Sequence, residues 1–534
     1  MEPPPSQPSE PTAEELARVA DLLEQVASDR SLLARLEESE RQRLLRVVHQ
    51  VAMPDRSARR KLRKEYHRER QANLQAQRQA DEQRLAETGI RAQFSAPYSV
   101  RKLKKPEPPA PFDTPPLALS HSHSTGPTAD WPKLDVPRTC YTCKGEYDRV
   151  HHFYDALCPA CAQLNWTKRN QTADLSGRVA VVTGARVKIG YQAALKLLRA
   201  GAHTVVLTRF PRDAARRFLA EADSERWRNR LELHGVDLRH TPAVEALADH
   251  LAATLPRLDL LLNNACQTVR RPPGFYAHLM EGERRLGESL PPEARPLLAS
   301  DEELRRQGMR ENEPARAGLA ALGGELAGES IAGVVRAAEL SQIPLAPGDE
   351  QRGEHLFPSG QYDHDEQQID LRSINSWRLR LADVPTVELL EVQLVNAIAP
   401  FILNARLKPL MARVPTRDTH IVNVSAMEGV FYRAYKTDKH PHTNMAKAAL
   451  NMLTRTSAQD YARDGIHMNS VDTGWITDED PAEIAQRKQQ ELGFHPPLDI
   501  VDAAARICAP YFDGQITGEH VWGKFLKDYQ VANW

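Results

Sequence analysis

Six cysteines in 534 residues are too few for a fold held by disulfides, which needs a much denser and evenly distributed set. That scarcity excludes the small disulfide scaffolds. No run of about 18 apolar residues offers to cross a bilayer, and the Pro- and Glu-rich start lacks the apolar core of a secretory signal. An excess of one charge is also missing: 70 Lys and Arg stand against 71 Asp and Glu, a formal net charge of -1. Net charge therefore selects no partner class, and only local charge is informative. Together these absences give the expectation of a soluble, cytoplasmic protein with no membrane contact. The length exceeds what one core holds, since single domains usually span roughly 100 to 250 residues, so two or three units are expected.

What is present is strongly segmented. Residues 1–11 are expected to be disordered, and 12–95 form a helical region in which Leu22, Leu23, Val26, Leu32, Leu33, Leu36, Leu44, Leu45 and Val48 recur at roughly helical spacing. Pro54 separates a helical hairpin from a longer polar helix that opens with Arg56, Arg59, Arg60, Lys61, Arg63, Lys64, Arg68 and Arg70. Such a stretch can meet phosphates, but Glu65, Glu69 and many Gln also suit a solvated face, and no nucleic-acid function is assigned. Residues 96–137 read as a Pro-rich linker, with nine prolines between 104 and 137 removing backbone donors.

Four of the six cysteines form two Cys-x-x-Cys pairs, Cys140/Cys143 and Cys158/Cys161, with fourteen residues between them. Two short knuckles at that separation can close a tetrahedral Zn²⁺ site, each supplying two sulfurs from a tight turn. His151 and His152 are alternative ligands, and a redox pair is the other reading of Cys-x-x-Cys. A four-sulfur site leaves no open coordination position, which makes its role structural or adhesive. Residues 138–170 are taken as this zinc knuckle.

From 171 to 534 the pattern becomes apolar strands alternating with helices. Strands are expected at Val179–Val182, Thr204–Leu207, Leu231–Val236, Leu258–Leu262, Ile421–Val424 and Ile466–Val471, with a last short one near His520–Trp522. Helices are expected over 189–200 and 242–255 and from Thr443 onward. This reads as an α/β doubly wound parallel sheet, a Rossmann fold covered on both faces. Thr183-Gly184-Ala185-Arg186-Val187-Lys188-Ile189-Gly190 joins the first strand to a helix, so its backbone N–H groups and the helix N-terminus can face a pyrophosphate. Supporting motifs follow in order: Asp237-Leu238, Asn263-Asn264-Ala265, and Asn469 through Gly474 and Ile476 to Thr477.

These motifs resemble the short-chain dehydrogenase/reductase superfamily over residues 176–534, about two thirds of the chain. The family's glycine loop is matched at Thr183, Gly184 and Gly190, while Lys188 stands at its middle glycine. A lysine there either crowds the close backbone approach or adds a cation for the phosphates; a third reading has it in solvent with the loop displaced. Thr208-Arg209, with Arg212 nearby, replaces the acidic residue expected for NAD(H) and favours NADP(H). The resemblance implies that Ser425 binds the substrate oxygen, Lys447 holds the nicotinamide ribose, and Asn396 positions a water in the proton path. It also places Thr443 where the proton-donating tyrosine belongs. An alkyl hydroxyl is a far weaker acid than a phenol, so another donor is required, with Tyr435 or His442 the better placed candidates among Tyr432, Tyr435, His440 and His442.

A second departure is an insertion, about 268–385, with a Glu- and Ala-rich helical part over 281–340. It follows the fourth strand at the carboxyl edge of the sheet, where a lid or a partner platform is expected. Arg270 and Arg271 either bind an anionic substrate or acids of the insertion itself. Two functions remain: an NADP(H)-dependent oxidoreductase acting on a carbonyl or alcohol, or a non-catalytic nucleotide-binding module. Thr443, Lys188 and Thr473, which stands where the family has proline, favour the second. The resemblance also implies a homo-dimer or tetramer, and the insertion or N-terminal helices offer a site for a protein partner.

Overall fold

The computed structural model describes residues 11–94, 131–284, 290–306, 336–363, 365–432, 436–477, 479–492 and 494–533. Tyr435, the linker residues 96–130 and much of the helical part of the insertion lie outside them. The chain divides into two units, 1–81 and 82–534. The first holds helices α1 (Ala13–Ser28) and α2 (Glu38–Ala52), and most of α3 (Arg56–Ala86). Thr12 and Glu15 form a reciprocal capping box that starts α1. Neither α1 nor α2 buries a residue, and Leu16, Val19, Leu22 and Leu45 are exposed.

In the second unit a hairpin of β1 (Lys133–Thr139) and β2 (Glu146–Arg149) precedes helix α4 (Pro159–Asn170). Strand β1 begins inside the stretch expected to be linker. Pro137 is accommodated because the pairing register shifts between Lys133 and Arg138, so its missing N–H is not needed.

The sheet that follows has eight strands in the order β10-β9-β8-β7-β6-β3-β4-β5. They are β3 (Val179–Thr183), β4 (His203–Thr208), β5 (Leu231–Gly235), β6 (Leu260–Asn263), β7 (Thr419–Ser425), β8 (Ile466–Asp472), β9 (Phe525–Lys527) and β10 (Gln530–Ala532). All neighbours are parallel except β9 and β10. The last strand expected near His520–Trp522 lies a few residues later. Gly523 at φ 66° turns the chain first, and its N–H bonds the Met468 carbonyl.

The central strands β3, β4 and β7 are buried on both faces, β3 and β4 through runs rich in Val and β7 with His420 and Asn423 buried among its apolar residues. One face is covered by α5 (Lys188–Arg199), α6 (Pro211–Leu219) and a C-terminal helix, Ile500–Thr517, through Leu195, Phe218, Ile507 and Phe512. The other is covered by Thr241–Thr254, Thr386–Ala412 and Pro441–Arg463 through Leu247, Leu403, Leu407 and Tyr461. Each such side chain, when fully buried, contributes roughly 1.5–3 kcal/mol. Contrary to the sequence expectation, Thr386–Ala412 is long and apolar enough to cross a membrane by length and composition. Leu403, Leu407 and Leu410 are fully buried against the sheet, but only 39% of the helix's apolar stretch is buried, and Leu390, Ile398 and Phe401 are exposed.

Strands β3 and β6 are neighbours whose connections leave in opposite directions. That switch point opens a crevice at the carboxyl ends of the strands, where the glycine loop and the Asn263-Asn264-Ala265 turn meet.

Candidate active site

The glycine loop is built by close approach. Gly184 has φ 68°, and a Cβ there would lie 2.8 Å from the Ala265 Cα. At Gly190 a Cβ would meet the Gly184 carbonyl at 2.5 Å and the Asn264 amide at 2.4 Å. Asn264 pins the loop by donating from Nδ2 to the carbonyls of Thr183 (3.0 Å) and Gly184 (3.3 Å). Thr183 Oγ1 accepts from the N–H of Ala265 at 2.9 Å. Lys188 adopts φ 55°, the left-handed conformation usually left to glycine, so the loop keeps its shape with a lysine in place.

A cavity of about 350 Å³ opens over this loop. Its wall includes Gly184, Arg186, Lys188, Ile189, Gly190, Arg209, Asp237, Leu238, Asn264, Ala265, Ile476 and Thr477, and strands β3, β4, β5, β6 and β8 all contribute through their following turns. Thr183 and Gly474 stand one step behind it, as hydrogen-bond partner of Ala265 and as the turn before Trp475. Lys188 lines the cavity and does not leave it for solvent. Burial pushes its pKa down, but Glu479, Asp365 and Asp363 outweigh this and hold the ammonium charged.

The arginines of the cavity differ in their partners. Arg186 pairs with Asp213 at 2.7 Å, Arg239 with Asp237 and Glu391 at 2.7 Å each, and Arg271 with Asp370. Among the described residues Arg209 pairs with no carboxylate: it donates to the Tyr276 hydroxyl at 2.8 Å and lies over that ring. Arg212 is turned away, donating to the Glu283 carbonyl, while the Glu283 carboxylate accepts from the N–H groups of Arg212 and Asp213. Burial pushes the Glu283 carboxyl up to about 7. Arg270 and Arg271 bind acids of the chain itself, Arg270 reaching both Asp349 (2.6 Å) and Glu391 (2.8 Å).

The residues expected at the reacting end come together in three dimensions. Ser425 ends β7, and its hydroxyl is buried with no hydrogen-bond partner among the described residues. Lys447, on the helix Pro441–Arg463, donates from Nζ to the carbonyl of Val424 at 2.7 Å, the residue just before that serine. Asn396 sits in a π-helical turn, Leu394–Ile398, a distortion that frequently marks functional sites. Its Oδ1 accepts from the Gln267 N–H at 2.7 Å and its Nδ2 donates to the Gln267 carbonyl at 3.3 Å, which fixes the chain after Ala265. Asp472, opposite Ser425 in the sheet register, accepts from the N–H groups of Met427 and Gly474 and so ties the turns after β7 and β8 together.

Thr443 directs its hydroxyl backwards to the His440 carbonyl at 2.8 Å, with His440 Nδ1 3.1 Å away. His440 has φ 43° and its ring stacks on Trp377 at 3.8 Å. Burial lowers its pKa, which favours the neutral ring. His442 is held from Nε2 by Glu388 at 3.2 Å, both side chains buried, and its Nδ1 has no partner among the described residues. Asn396, Ser425, Thr443 and Lys447 do not line the cavity, which ends at the Gln267-Thr268 side.

Several of these partners escaped the sequence reading: Tyr276, Glu283, Trp377, Glu388 and Asp472. Each acts across at least 30 residues of sequence, and no local spacing announces it. An exception is Tyr141, whose place inside the first Cys-x-x-Cys was visible.

The Sγ atoms of Cys140, Cys143, Cys158 and Cys161 all lie within 4.8 Å of one another, and those of Cys143 and Cys158 are 3.6 Å apart. Zn–S bonds of about 2.3 Å in a tetrahedron put sulfurs roughly 3.8 Å apart, so the donor set fits that ion. Neither His151 nor His152 belongs to this cluster of donors, and His151 Nδ1 accepts from the Phe153 and Tyr154 N–H groups.

Comparison with known proteins matches residues 178–278 to the short chain dehydrogenase family model and residues 373–498 to that of enoyl-(acyl carrier protein) reductase. The chain is 29% identical over 386 residues to an uncharacterized protein of Acanthamoeba polyphaga mimivirus, covering 70% of this chain and 71% of that one. It is 36% identical over 104 residues to dehydrogenase/reductase SDR family member 13 of Bos taurus, covering 19% of this chain and 27% of that one. Among solved structures, a short chain dehydrogenase from Burkholderia cenocepacia in complex with NADP aligns with a TM-score of 0.39 at 16% identity, over 66% of this chain and 97% of that one. With both family models falling on the sheet and the crevice just described, the chain belongs, through residues 178–278 and 373–498, to the short-chain dehydrogenase/reductase superfamily.

Proposed function

We propose that the protein is an NADP(H)-dependent oxidoreductase that interconverts a carbonyl and an alcohol. The observation that carries this reading is Ser425: a buried hydroxyl without a partner, at the carboxyl edge of β7, beside the strand carbonyl that Lys447 holds. A buried polar group left unpaired is costly, and a substrate oxygen would satisfy it. The nicotinamide supplies the hydride. Ser425 orients the substrate oxygen, and Lys447 keeps two ammonium donors for a ribose while the third bonds Val424. Asn396 holds the floor of the site through Gln267. Arg209, unpaired with any carboxylate among the described residues, is the 2′-phosphate ligand, which is the support for NADP(H) over NAD(H). Lys188 adds a cation on the phosphate side of the cavity.

His442 is the proton donor in this reading. Glu388 fixes its ring, leaving Nδ1 to exchange the proton, whereas Thr443 spends its own proton on the His440 carbonyl. The four thiolates hold Zn²⁺ as a structural ion. Exposed Leu390, Ile398, Phe401, Met445 and Met452, on Thr386–Ala412 and Pro441–Arg463, form the face of a homo-dimer. The exposed apolar side chains of α1 and α2 are the site of a protein partner.

A second reading, a nucleotide-binding module without turnover, is favoured by one observation: the cavity is lined by the nucleotide-binding turns and by none of Asn396, Ser425, Thr443 and Lys447. Calorimetry with NADPH and NADH on wild type and Arg209→Ala, followed by a carbonyl panel read by NADPH absorbance, separates the two. Turnover lost in Ser425→Ala and His442→Gln but kept in Tyr435→Phe supports the enzyme with His442 as donor. Loss in Tyr435→Phe alone moves that role to Tyr435. Tight nucleotide binding without turnover of any carbonyl selects the module.

A further inference from the structure

The Cys-x-x-Cys module does not hang free. Tyr141, between Cys140 and Cys143, places its hydroxyl 2.9 Å from the backbone N–H of Trp475, from which it accepts a hydrogen bond. Trp475 begins the segment Trp475-Ile476-Thr477, and Ile476 and Thr477 line the nucleotide cavity. The apolar side of the module continues the same contact: Cys140, Tyr154 and Leu157 share one buried cluster with Ile476, Leu498 and Ala503, and Ile189 of the glycine loop packs against it. Polar ties fix the orientation. Tyr154 donates to Asp502, and Arg169 at the end of α4 reaches Asp499 at 2.6 Å and Asp502 at 3.0 Å. Asp499 also caps the helix Ile500–Thr517.

The segment after β8 has little support of its own. Residues 473–477 form no helix or strand; the Gly474 N–H is held by Asp472 and the Trp475 N–H by Tyr141. The module carries its four thiols within 4.8 Å of one another on two turns, beside a seven-residue and a four-residue strand, and a metal ion there would cross-link those turns. Metal at the sulfurs therefore fixes Tyr141, and Tyr141 fixes one wall of the nucleotide cavity.

From this geometry we infer that metal binding at the four cysteines and nucleotide binding in the cavity are positively linked, with Tyr141 as the positioning residue that carries the coupling. The inference rests on the reading of the cavity as a nicotinamide-nucleotide site. Linkage is reciprocal, so the factor by which Zn²⁺ strengthens NADPH binding equals the factor by which NADPH strengthens Zn²⁺ binding. A purely structural zinc module, folded independently beside the sheet, gives a factor of one.

The test uses the full chain, Zn²⁺-loaded or stripped with a chelator under reducing conditions. NADPH affinity is measured by calorimetry, and Zn²⁺ affinity by competition with a chelating dye, with and without saturating NADPH. Expected is a 5- to 100-fold weaker NADPH affinity in the stripped protein, within the usual range of coupling between sites, and the same factor in the dye competition. Tyr141→Phe keeps all four thiols; it should hold Zn²⁺, bind NADPH several-fold more weakly, and lose most of the reciprocal factor. Equal NADPH affinity in loaded and stripped protein overturns the linkage. Should stripping unfold the chain, zinc-loaded Tyr141→Phe decides: NADPH binding equal to wild type overturns the role of Tyr141 and the inference with it. Zinc-loaded wild type that binds neither NADPH nor NADH overturns the nucleotide reading instead, an outcome distinct from intact binding without linkage.

Discussion

The two ends of the crevice are built on opposite plans. At the nucleotide end, backbone approaches backbone, the glycines leave no space for a Cβ, and Arg209 and Lys188 face an open cavity, Arg209 with no carboxylate partner among the described residues. At the reacting end, side chains have turned to one another: Thr443 to His440, His440 to Trp377, His442 to Glu388 and Lys447 to Val424. On the proposed reading, binding geometry is kept by close backbone packing at Gly184 and Gly190, whereas the proton path would be made of side chains that can be replaced and re-partnered one at a time. The difference teaches that the fold can hold a nucleotide whatever becomes of the tyrosine, so binding and turnover have to be broken separately.

The nucleotide end should break most severely. Gly190→Val puts branched carbon where a single Cβ already lies 2.4 Å from Asn264 Nδ2 and 2.5 Å from the Gly184 carbonyl. Neither neighbour can retreat, because both belong to the pinned loop. We expect NADPH binding to fall by at least about 100-fold and stability by roughly 1–3 kcal/mol, the usual range for overpacking. Calorimetry and thermal unfolding check both; near-native binding would show that the loop does not carry the nucleotide.

Ser425→Ala sharpens the comparison from the other side. The variant removes a hydroxyl that no described residue uses, so folding and nucleotide affinity should change little. Turnover should drop by about 100-fold, the scale of losing one oriented donor to a developing oxyanion. A drop in nucleotide affinity of the same size would mean that the two ends are not separable.

A smaller effect is expected at Arg209. Its bond to the Tyr276 hydroxyl is with a neutral partner and can be exchanged for a phosphate. Removing one charge-assisted contact is worth about 1.5–3 kcal/mol, so Arg209→Ala should weaken NADPH binding by roughly 10- to 100-fold and leave NADH binding unchanged. Equal losses for both nucleotides would place Arg209 on the shared part of the cofactor and remove the support for NADP(H).

How much of this could be read in the sequence follows the same division. The sheet was legible because its strands carry short apolar runs at βα spacing, as in Val179–Thr183 and Leu260–Asn263. So were the glycine loop, the four-thiol set and the serine and lysine near one another, all of which depend on short-range order along the chain. The β1 strand was hidden because Pro137 reads as a breaker until its register shift is seen. The last strand was displaced because Gly523 and the His520 ring make the turn earlier than apolar content suggests. Arg270 and Arg271 could not be resolved from sequence, since Asp349, Asp370 and Glu391 reach them across 79 to 121 residues. His442 and Glu388 lie 54 residues apart, a shorter gap but still too long for a buried pair with an open nitrogen to leave a trace in spacing.

The smallest expected effect lies at the opposite edge of the sheet, where titration should touch neither end of the crevice. His420 on β7, His467 on β8 and His520 form a cluster: His420 Nε2 is 2.9 Å from His520 Nδ1, and the His467 and His520 rings stack at 4.6 Å. Burial, then repulsion from His467 and His520, lowers the His420 pKa well below 6.5, and Asp418 offsets this only in part. Burial lowers those of His467 and His520 as well. The folded state therefore favours the neutral rings, that of His420 most strongly, while the unfolded chain binds protons with a pKa near 6.5. Stability from these groups is fully present above that value and is lost as pH falls below it toward the folded pKa. Each histidine whose folded pKa lies far below contributes a slope of about 1.4 kcal/mol per pH unit, so unfolding measured in urea from pH 7 to 5.5 should steepen accordingly. His420→Gln should remove about one such slope while nucleotide affinity at pH 7 stays as in wild type. An unchanged slope would mean that the ring is already protonated or solvated in the folded chain. A change in nucleotide affinity would mean that the two edges of the sheet are coupled through β7, the strand that carries both His420 and Ser425.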